Sequence, residues 1–324
     1  MAQHSLTDQL VILYNKIFPW RFRFRYGAPL IRSLMKLKDN SVLINGVRVF
    51  LNPNDKTATE LFLVHATAGE WIWESYEISL FLECLKENAG SLAVDMGANY
   101  GAYSLSACPL VRDGSVRSII AVEPNNETYH CLEKSAEFNG FSPYIHLINA
   151  AVTHDHNSAC LFCPHDTFSA MSKTTTIADD AKLPEHSSSY KVRGITLDAL
   201  LPELGLTDIY SLVVKIDVEG CEPDAFQGMK NTLDSAKGYQ VFFELHPTAL
   251  SSLGRDPKEF ARFLFGLGFD VMAEVDQHKK VARRVGNLDE FMSIVEECLT
   301  TTEMWKDYTN IFISKGLKVP LRIV

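Results

Sequence analysis

A doubly wound α/β fold, Rossmann-like with helices on both faces of a mostly parallel sheet, is predicted for this 324-residue chain by three observations. Apolar runs of strand length alternate with helical patterns, a glycine-containing turn closes the first of these runs, and an acidic residue closes the second. Strands that are apolar along their whole length indicate a parallel sheet covered on both faces. Leu92–Met96 is the first such strand, with a helix expected over Tyr100–Cys108. Ser118–Glu123 is the second strand, Asn126–Phe138 a helix, and Ile145–Val152 a strand. The alternation resumes with a strand at Leu212–Asp217, a helix at Pro223–Ala236 and a strand at Tyr239–Leu245. A helix near Pro257–Leu267, a strand near Phe269–Val275 and a last strand at Thr309–Ser314 complete the series.

Residues 1–69 form a basic and aromatic extension, and 70–324 the main domain. Two stretches interrupt the main domain, one near 153–191 that is rich in Ser, Thr, Asp and His, the other a charged loop and helix near 276–306. Insertions of this length commonly form lids or substrate walls.

Composition narrows the function. With 46% hydrophobic and 22% charged residues the chain is an ordinary globular one, and its net charge of -9 argues against nucleic acid as a partner. A small molecule, sugar or peptide is the expected substrate. Between residues 16 and 48, however, eight lysines and arginines face only Asp39, a net +7 interleaved with Phe18, Trp20, Phe22, Phe24 and Tyr26. Two readings fit: a contact with a membrane surface or anionic partner, or a helical layer whose aromatics pack while its cations stay solvated. No run of eighteen apolar residues and no secretory pattern is present, so a soluble cytoplasmic protein is expected, with a homo-oligomer left open. Seven scattered cysteines fit reduced thiols, and the lone Cys160/Cys163 pair lacks the second pair of a zinc site.

The chemistry concentrates in Asp95-Met96-Gly97-Ala98-Asn99-Tyr100-Gly101, directly after the first strand. Ligands of doubly wound sheets bind at the carboxyl ends of the strands, where glycines let the backbone come close. A dinucleotide site would place a glycine where Asp95 stands, because a carboxylate repels pyrophosphate. S-adenosylmethionine carries an ammonium and a sulfonium and no phosphate, so Asp95 favours it. Glu123 ends the second strand, where an acid accepts hydrogen bonds from ribose hydroxyls, and Pro124 and Asn125 turn the chain beside the adenine. Asp95 and Glu123 are both expected to face the pocket rather than the core.

A second constellation is Asp217, Glu219 and Glu222 at the end of the fourth strand, with Glu244 and His246 on its neighbour. Methyl transfer is an in-line displacement that needs an aligned acceptor and a place for its proton. Asp217, Glu219 or His246 takes that proton directly, His246 having the ordinary pKa best suited to it. The alternative, a divalent ion held by Asp217, Glu219, Glu244 and His246, is not the preferred expectation, since no tight ligand motif is present.

At these residues the sequence resembles the FkbM family of methyltransferases. The likeness rests on VDMGANYGAYSLSA (94–107), AVEPNNETYHCLEKSAEFNG (121–140), INAAV (148–152), ITLDALL (195–201), KIDVEGCEPDAFQGM (215–229), FFELHP (242–247) and TNIFISK (309–315). It implies a seven-stranded sheet of order 3-2-1-4-5-7-6 with the last strand antiparallel. It further implies that Asp95, Gly97, Ala98, Asn99 and Gly101 line the methionine part of the cofactor, that Glu123 holds the ribose and that Asn149 and Ala150 border the adenine. Tyr76 and Glu77 match an acidic position ahead of a helix covering the cofactor, and Asp217 and Glu219 match an acidic pair at the reacting end. The implied activity is O-methylation of a sugar or natural-product hydroxyl, with N-methylation of side-chain amides in a modified peptide as the alternative. Met96, where a β-branched residue is more usual, and the basic aromatic segment depart from the pattern. An NAD-dependent oxidoreductase and a catalytically silent binding module are the competing classes; Asp95 argues against the first and the intact motif residues against the second.

Overall fold

The computed structural model describes residues 32–59, 61, 74–164, 172–177, 188–277, 279–301 and 307–320, with isolated positions 9, 13 and 30. The first half of the basic aromatic segment, from Lys16 to Arg25, therefore lies outside the described residues, as do parts of both insertions.

The main sheet contains β3 (Leu92–Met96), β4 (Ser118–Val122), β5 (Ile145–Ile148), β10 (Ser211–Ile216), β11 (Gly238–Leu245), β12 (Val271–Asp276), β13 (Val281–Arg284) and β14 (Thr309–Lys315). Their spatial order is β13-β12-β14-β11-β10-β3-β4-β5. β11, β10, β3, β4 and β5 run parallel to one another, and β14 is antiparallel to both β11 and β12. The count is eight rather than seven because the charged loop after β12 folds back as β13, pairing antiparallel from Asp276↔Val281 to Ala273↔Arg284. Lys280, with φ 53°, makes the reversal.

Strand alternation sorts the side chains into two cores. Leu92, Val94, Leu212, Val214, Val241 and Phe243 point to one face, where they meet α4 (Leu197–Glu203), α5 (Glu222–Gly228), α6 (Lys230–Ser235), α7 (Pro247–Ser252), α8 (Pro257–Gly266) and α9 (Leu288–Thr300). Ala93, Ala121, Val213, Phe242 and Phe312 point to the other, under α1 (Ser75–Glu87), α2 (Ala102–Arg112) and α3 (Asn126–Phe138). Helix α9 shows the pattern well: Phe291, Ile294, Val295 and Cys298 form its buried stripe, and Asn287 caps its start by accepting from Glu290 N. Each large apolar side chain so buried contributes about 1.5–3 kcal/mol.

Several expected elements have other limits. The helix after the glycine turn starts at Ala102, because Gly101 is its left-handed N-cap with φ 84°. The expected helix over 223–236 is two short helices joined at Met229, and the expected strand over 145–152 is divided at Asn149-Ala150 into β5 and β6 (Ala151–Val152). β6 belongs to a second sheet of order β6-β9-β7-β8, built from β7 (Ala159–Cys163), β8 (Lys173–Ile177) and β9 (Tyr190–Ile195). The Ser/Thr-rich insertion therefore contains strands, β7, β8 and the start of β9, with β7 pairing to both of the others. Cys160 is buried in β7 while Cys163, three residues on, is half-buried on its opposite side, so the pair does not converge.

The extension is not separate from the domain where it is described. Strands β1 (Ser41–Ile44) and β2 (Val47–Phe50) form a hairpin whose Val42, Ile44 and Val49 enter the same core as α1, α2 and α3. Phe50 N donates to Ser135 Oγ at 2.8 Å and Arg48 N to Asn139 Oδ1 at 2.9 Å, fastening the hairpin to α3.

Gly97→Ala is expected to lower stability by at least about 3 kcal/mol in urea denaturation, since its Cβ would stand 1.8 Å from the Asp217 carbonyl oxygen. Gly114→Ala, at nearly the same φ but with nothing within 4 Å, should cost only about 1 kcal/mol. Equal losses would show that conformation, not the close approach, decides the first.

Candidate active site

The glycine turn and the second-strand acid are fixed to each other by backbone groups. Gly97 N and Ala98 N both donate to Val122 O at 2.9 Å, so the turn lies over the end of β4. Asn99, left-handed at φ 49°, donates its N–H to Glu123 Oε2 at 2.8 Å, and Asn125 N donates to Glu123 Oε1 at 2.8 Å. Asn149 Nδ2 donates to the Glu123 carbonyl at 2.9 Å. The Asn125 side chain accepts from Glu127 N at 3.0 Å and caps α3, while Ala150 is buried in the core. Asp95 is 2% exposed and Oδ2 accepts from Ser104 N at 3.0 Å, which ties β3 to the first turn of α2. Burial pushes the Asp95 carboxyl up to about 6 and that of Glu123 up to about 7, against the hydrogen bonds that favour their charged forms.

Two cavities meet at Gly97, Asn99 and Asp217. The first is bounded by Glu123 and Pro124 on one side and by Val218, Glu219 and Cys221 on the other, with Phe162 and Thr174 of the small sheet as its wall. The second is bounded by Glu74, Asp95, Tyr100, Tyr103 and Lys215, with Thr57 and Leu61 of the extension. Among the described residues Asn99 Oδ1 is buried without a partner, at the place where the cavities join. Asn99, Glu219 and Glu74 all hold φ near 50°, a conformation that costs about 1–2 kcal/mol per residue and tends to gather at functional sites.

The charged groups continue one face of the sheet. Lys215 pairs in register with Asp95 and with Phe242, so Asp95, Lys215, Asp217 and Glu244 follow Ala93, Val213 and Phe242 on the side covered by α1 and α2. Lys215, 1% exposed, lies 3.5 Å from Glu77 Oε2, which also accepts from Tyr103 Oη at 2.8 Å. Burial works against the Lys215 charge, but Glu74, Glu77, Asp217 and Glu244 outweigh it and hold the ammonium well above its ordinary value. Burial, with Glu244 next in weight, pushes Asp217 well up, while Lys215 pulls it down.

His246 Nε2 lies 2.9 Å from Glu244 Oε1, and its ring stacks on Tyr308 with centroids 4.8 Å apart. Burial opposes the charged ring, yet the Glu244 hydrogen bond and charge raise it to about 10. His246 accordingly carries its charge near neutrality, unlike the neutral ring that a direct base requires. Glu222 is the first residue of α5, with Oε1 accepting from Gly220 N at 2.9 Å.

Among the described residues, oxygens of Glu74, Asp217 and Glu244 lie within 4.8 Å of one another. Lys215 and His246 already supply positive charge to these carboxylates, so no ion is assigned here.

Of the expected site residues, Asp95, Gly97, Ala98, Asn99, Glu123, Pro124, Asp217 and Glu219 line one or both cavities. Gly101 shapes the turn, Glu77 lies behind Tyr103 and Lys215 of the second cavity, Tyr76 packs against the core and lines neither cavity, and Asn125, Asn149 and Ala150 support the Glu123 end. Sequence reasoning missed Glu74, Tyr103 and Lys215. The signal for Lys215 was present, a cation inside the otherwise apolar strand Leu212–Ile216; Glu74 and Tyr103 carried none.

A mostly parallel sheet with a glycine turn at its first strand tip and a buried acid at its second is a Rossmann-like cofactor-binding arrangement. The chain belongs to the FkbM methyltransferase family, the model for the methyltransferase FkbM domain matching residues 95–271. No curated protein matches it. Among solved structures it is similar to a methyltransferase FkbM from Methylobacillus flagellatus KT, with 13% identity over 81% of this chain and 56% of that one, at a TM-score of 0.40. An rRNA methylase from Streptococcus thermophilus overlaps 75% of this chain and 96% of its own at 9% identity and a TM-score of 0.38. A putative methyltransferase from Streptococcus mutans, in complex with SAH, overlaps 74% and 95% at 8% identity and a TM-score of 0.39. These likenesses are too distant to carry a substrate across.

Titration of His246 by NMR should show a ring that stays protonated until pH about 10 and, in Glu244→Gln, titrates at least about 1 unit lower. Because the folded value lies above the ordinary 6.5, the stability from this ring is complete below pH 6.5 and is lost as pH rises towards 10. A ring that titrates near 6.5 in the native chain would restore it as a base.

Proposed function

We propose that this chain is an S-adenosylmethionine-dependent methyltransferase acting on a hydroxyl of a sugar or natural product. The observation that carries the reading is the junction of two cavities at Gly97, Asn99 and Asp217, one ending at Glu123 and the other at Glu74 and Lys215. The residues fit the cofactor by their donor and acceptor types. Glu123 offers carboxylate lone pairs to ribose hydroxyls, the unpartnered Asn99 Oδ1 offers an acceptor, and Phe162, Val152 and Pro124 provide an apolar wall for a base. Glu74, Asp95 and Asp217 surround the second cavity with negative charge suited to an ammonium and a sulfonium.

When bound, the cofactor supplies an electrophilic methyl group. Asp217 lies at the cavity junction and takes the acceptor's proton; a carboxyl raised by burial is better matched to that task near neutrality than an ordinary one. Glu219, on the following left-handed turn, faces the first cavity and holds acceptor hydroxyls by hydrogen bonds. The Glu244–His246 pair and Tyr308 form a rigid polar margin beside Asp217.

Isothermal titration with S-adenosylhomocysteine should give a micromolar dissociation constant while NADH gives no heat. Glu123→Ala should weaken that binding by more than about tenfold, the scale of lost charge-assisted hydrogen bonds, with the far-ultraviolet circular dichroism unchanged. Binding of NADH, or of neither compound, would refute the assignment.

A further inference from the structure

We propose that Lys215 is the residue that recognises the carboxylate of the cofactor's amino-acid moiety, making the second cavity selective for a zwitterionic head group. The inference rests on the cofactor assignment above and deepens it. Its ground is the charge pattern around that cavity. Acids line it from three elements: Glu74 at the start of α1, Asp95 on β3 and Asp217 after β10. Lys215 is the one cation among the described residues that line it.

A zwitterion needs both signs, and a surface of acids alone would repel its carboxylate. The ammonium of Lys215 has three hydrogens to donate. Within the described chain it makes one hydrogen bond, a long one of 3.5 Å to Glu77 Oε2, and lies 5.1 Å from the centre of the Tyr103 ring. Donor capacity therefore remains. The lysine does not swing freely, since its 1% exposure and the Glu77–Tyr103 contact hold the head group from the α1 and α2 side. Burying a lysine in an otherwise apolar strand is costly, and the cost has no return in packing, because a leucine or methionine would fill the same volume without a charge. Its charge already balances part of the acid around it, from Glu74, Glu77, Asp217 and Glu244, and its remaining donors are what a ligand carboxylate accepts from.

The arrangement also separates two tasks at one site. Lys215 on β10 and Asp217 directly after it are two residues apart, hence on the same side of the sheet, with the aspartate just past the strand end where the cavities meet. The carboxylate of the head group is drawn to the Lys215 ammonium and its own ammonium to Glu74 and Asp217. The sulfur between them and the nucleoside is thereby kept near the junction.

The test is binding, and needs no acceptor. Dissociation constants are measured by calorimetry for S-adenosylhomocysteine and for its decarboxylated analogue, which keeps the ammonium and lacks only the carboxylate, with native chain, Lys215→Met and Lys215→Arg. The native chain should prefer S-adenosylhomocysteine by about tenfold or more, the scale of one charge-assisted contact. In Lys215→Met the preference should fall towards one through loss of S-adenosylhomocysteine affinity alone, and Lys215→Arg should keep part of it. A native chain that binds both compounds equally overturns the inference whatever the variants do, and so does a folded Lys215→Met that keeps the preference. A native chain that binds neither compound instead overturns the cofactor assignment on which the inference stands.

Discussion

The approach of the Gly97 turn to the backbone of Asp217 is the constraint on which the rest of the site depends. Asp217 N donates to Met96 O at 2.9 Å, and no side chain fits at Gly97 without entering the Asp217 carbonyl. Two strand ends that are 120 residues apart in the chain are thus locked side by side, and the cavities on either side of the lock share its residues. The same turn is held from the other direction by Val122 O and by Glu123, whose two carboxylate oxygens each accept one backbone N–H and keep a further lone pair. Rigid backbone contacts of this kind place polar groups more firmly than side-chain packing alone, as catalysis by positioning requires.

Electrostatics follows from that geometry. Because alternate residues of parallel strands share a face, the apolar row Ala93, Val213 and Phe242 passes at the strand ends into Asp95, Lys215, Asp217 and Glu244. The charges are therefore half inside the core, where interactions are strong and desolvation is costly. Burial raises Asp95, Glu123 and Asp217, while Lys215 and His246 stay charged because carboxylates surround them. This balance holds the His246 ring charged beside Glu244, where the sequence suggested a neutral imidazole.

The small sheet and the hairpin give the common scaffold its individual walls. Phe162 and Thr174 close the first cavity from the insertion, and Thr57 and Leu61 close the second from the extension. Insertions in doubly wound folds lie at the carboxyl ends of the strands, so they shape ligand access without disturbing the central sheet.

The sequence by itself determined the alternation of strands and helices, the glycine turn, and the acids Asp95, Glu123 and Asp217 at strand ends, because each is a local pattern: an apolar run, a residue free to adopt positive φ, a charge where a run stops. It also located the polar insertions, but not their sheet, since the short runs Ala159–Cys163 and Lys173–Ile177 gain their form by pairing with each other. Only the tertiary structure decided that Glu74 and Tyr103 from α1 and α2 face Lys215, that Glu244 captures His246, and that the hairpin of the extension shares the domain core. Those outcomes depend on which residues, distant in the chain, are brought within a few ångströms, and a burial that shifts protonation exists only once the sheet is covered.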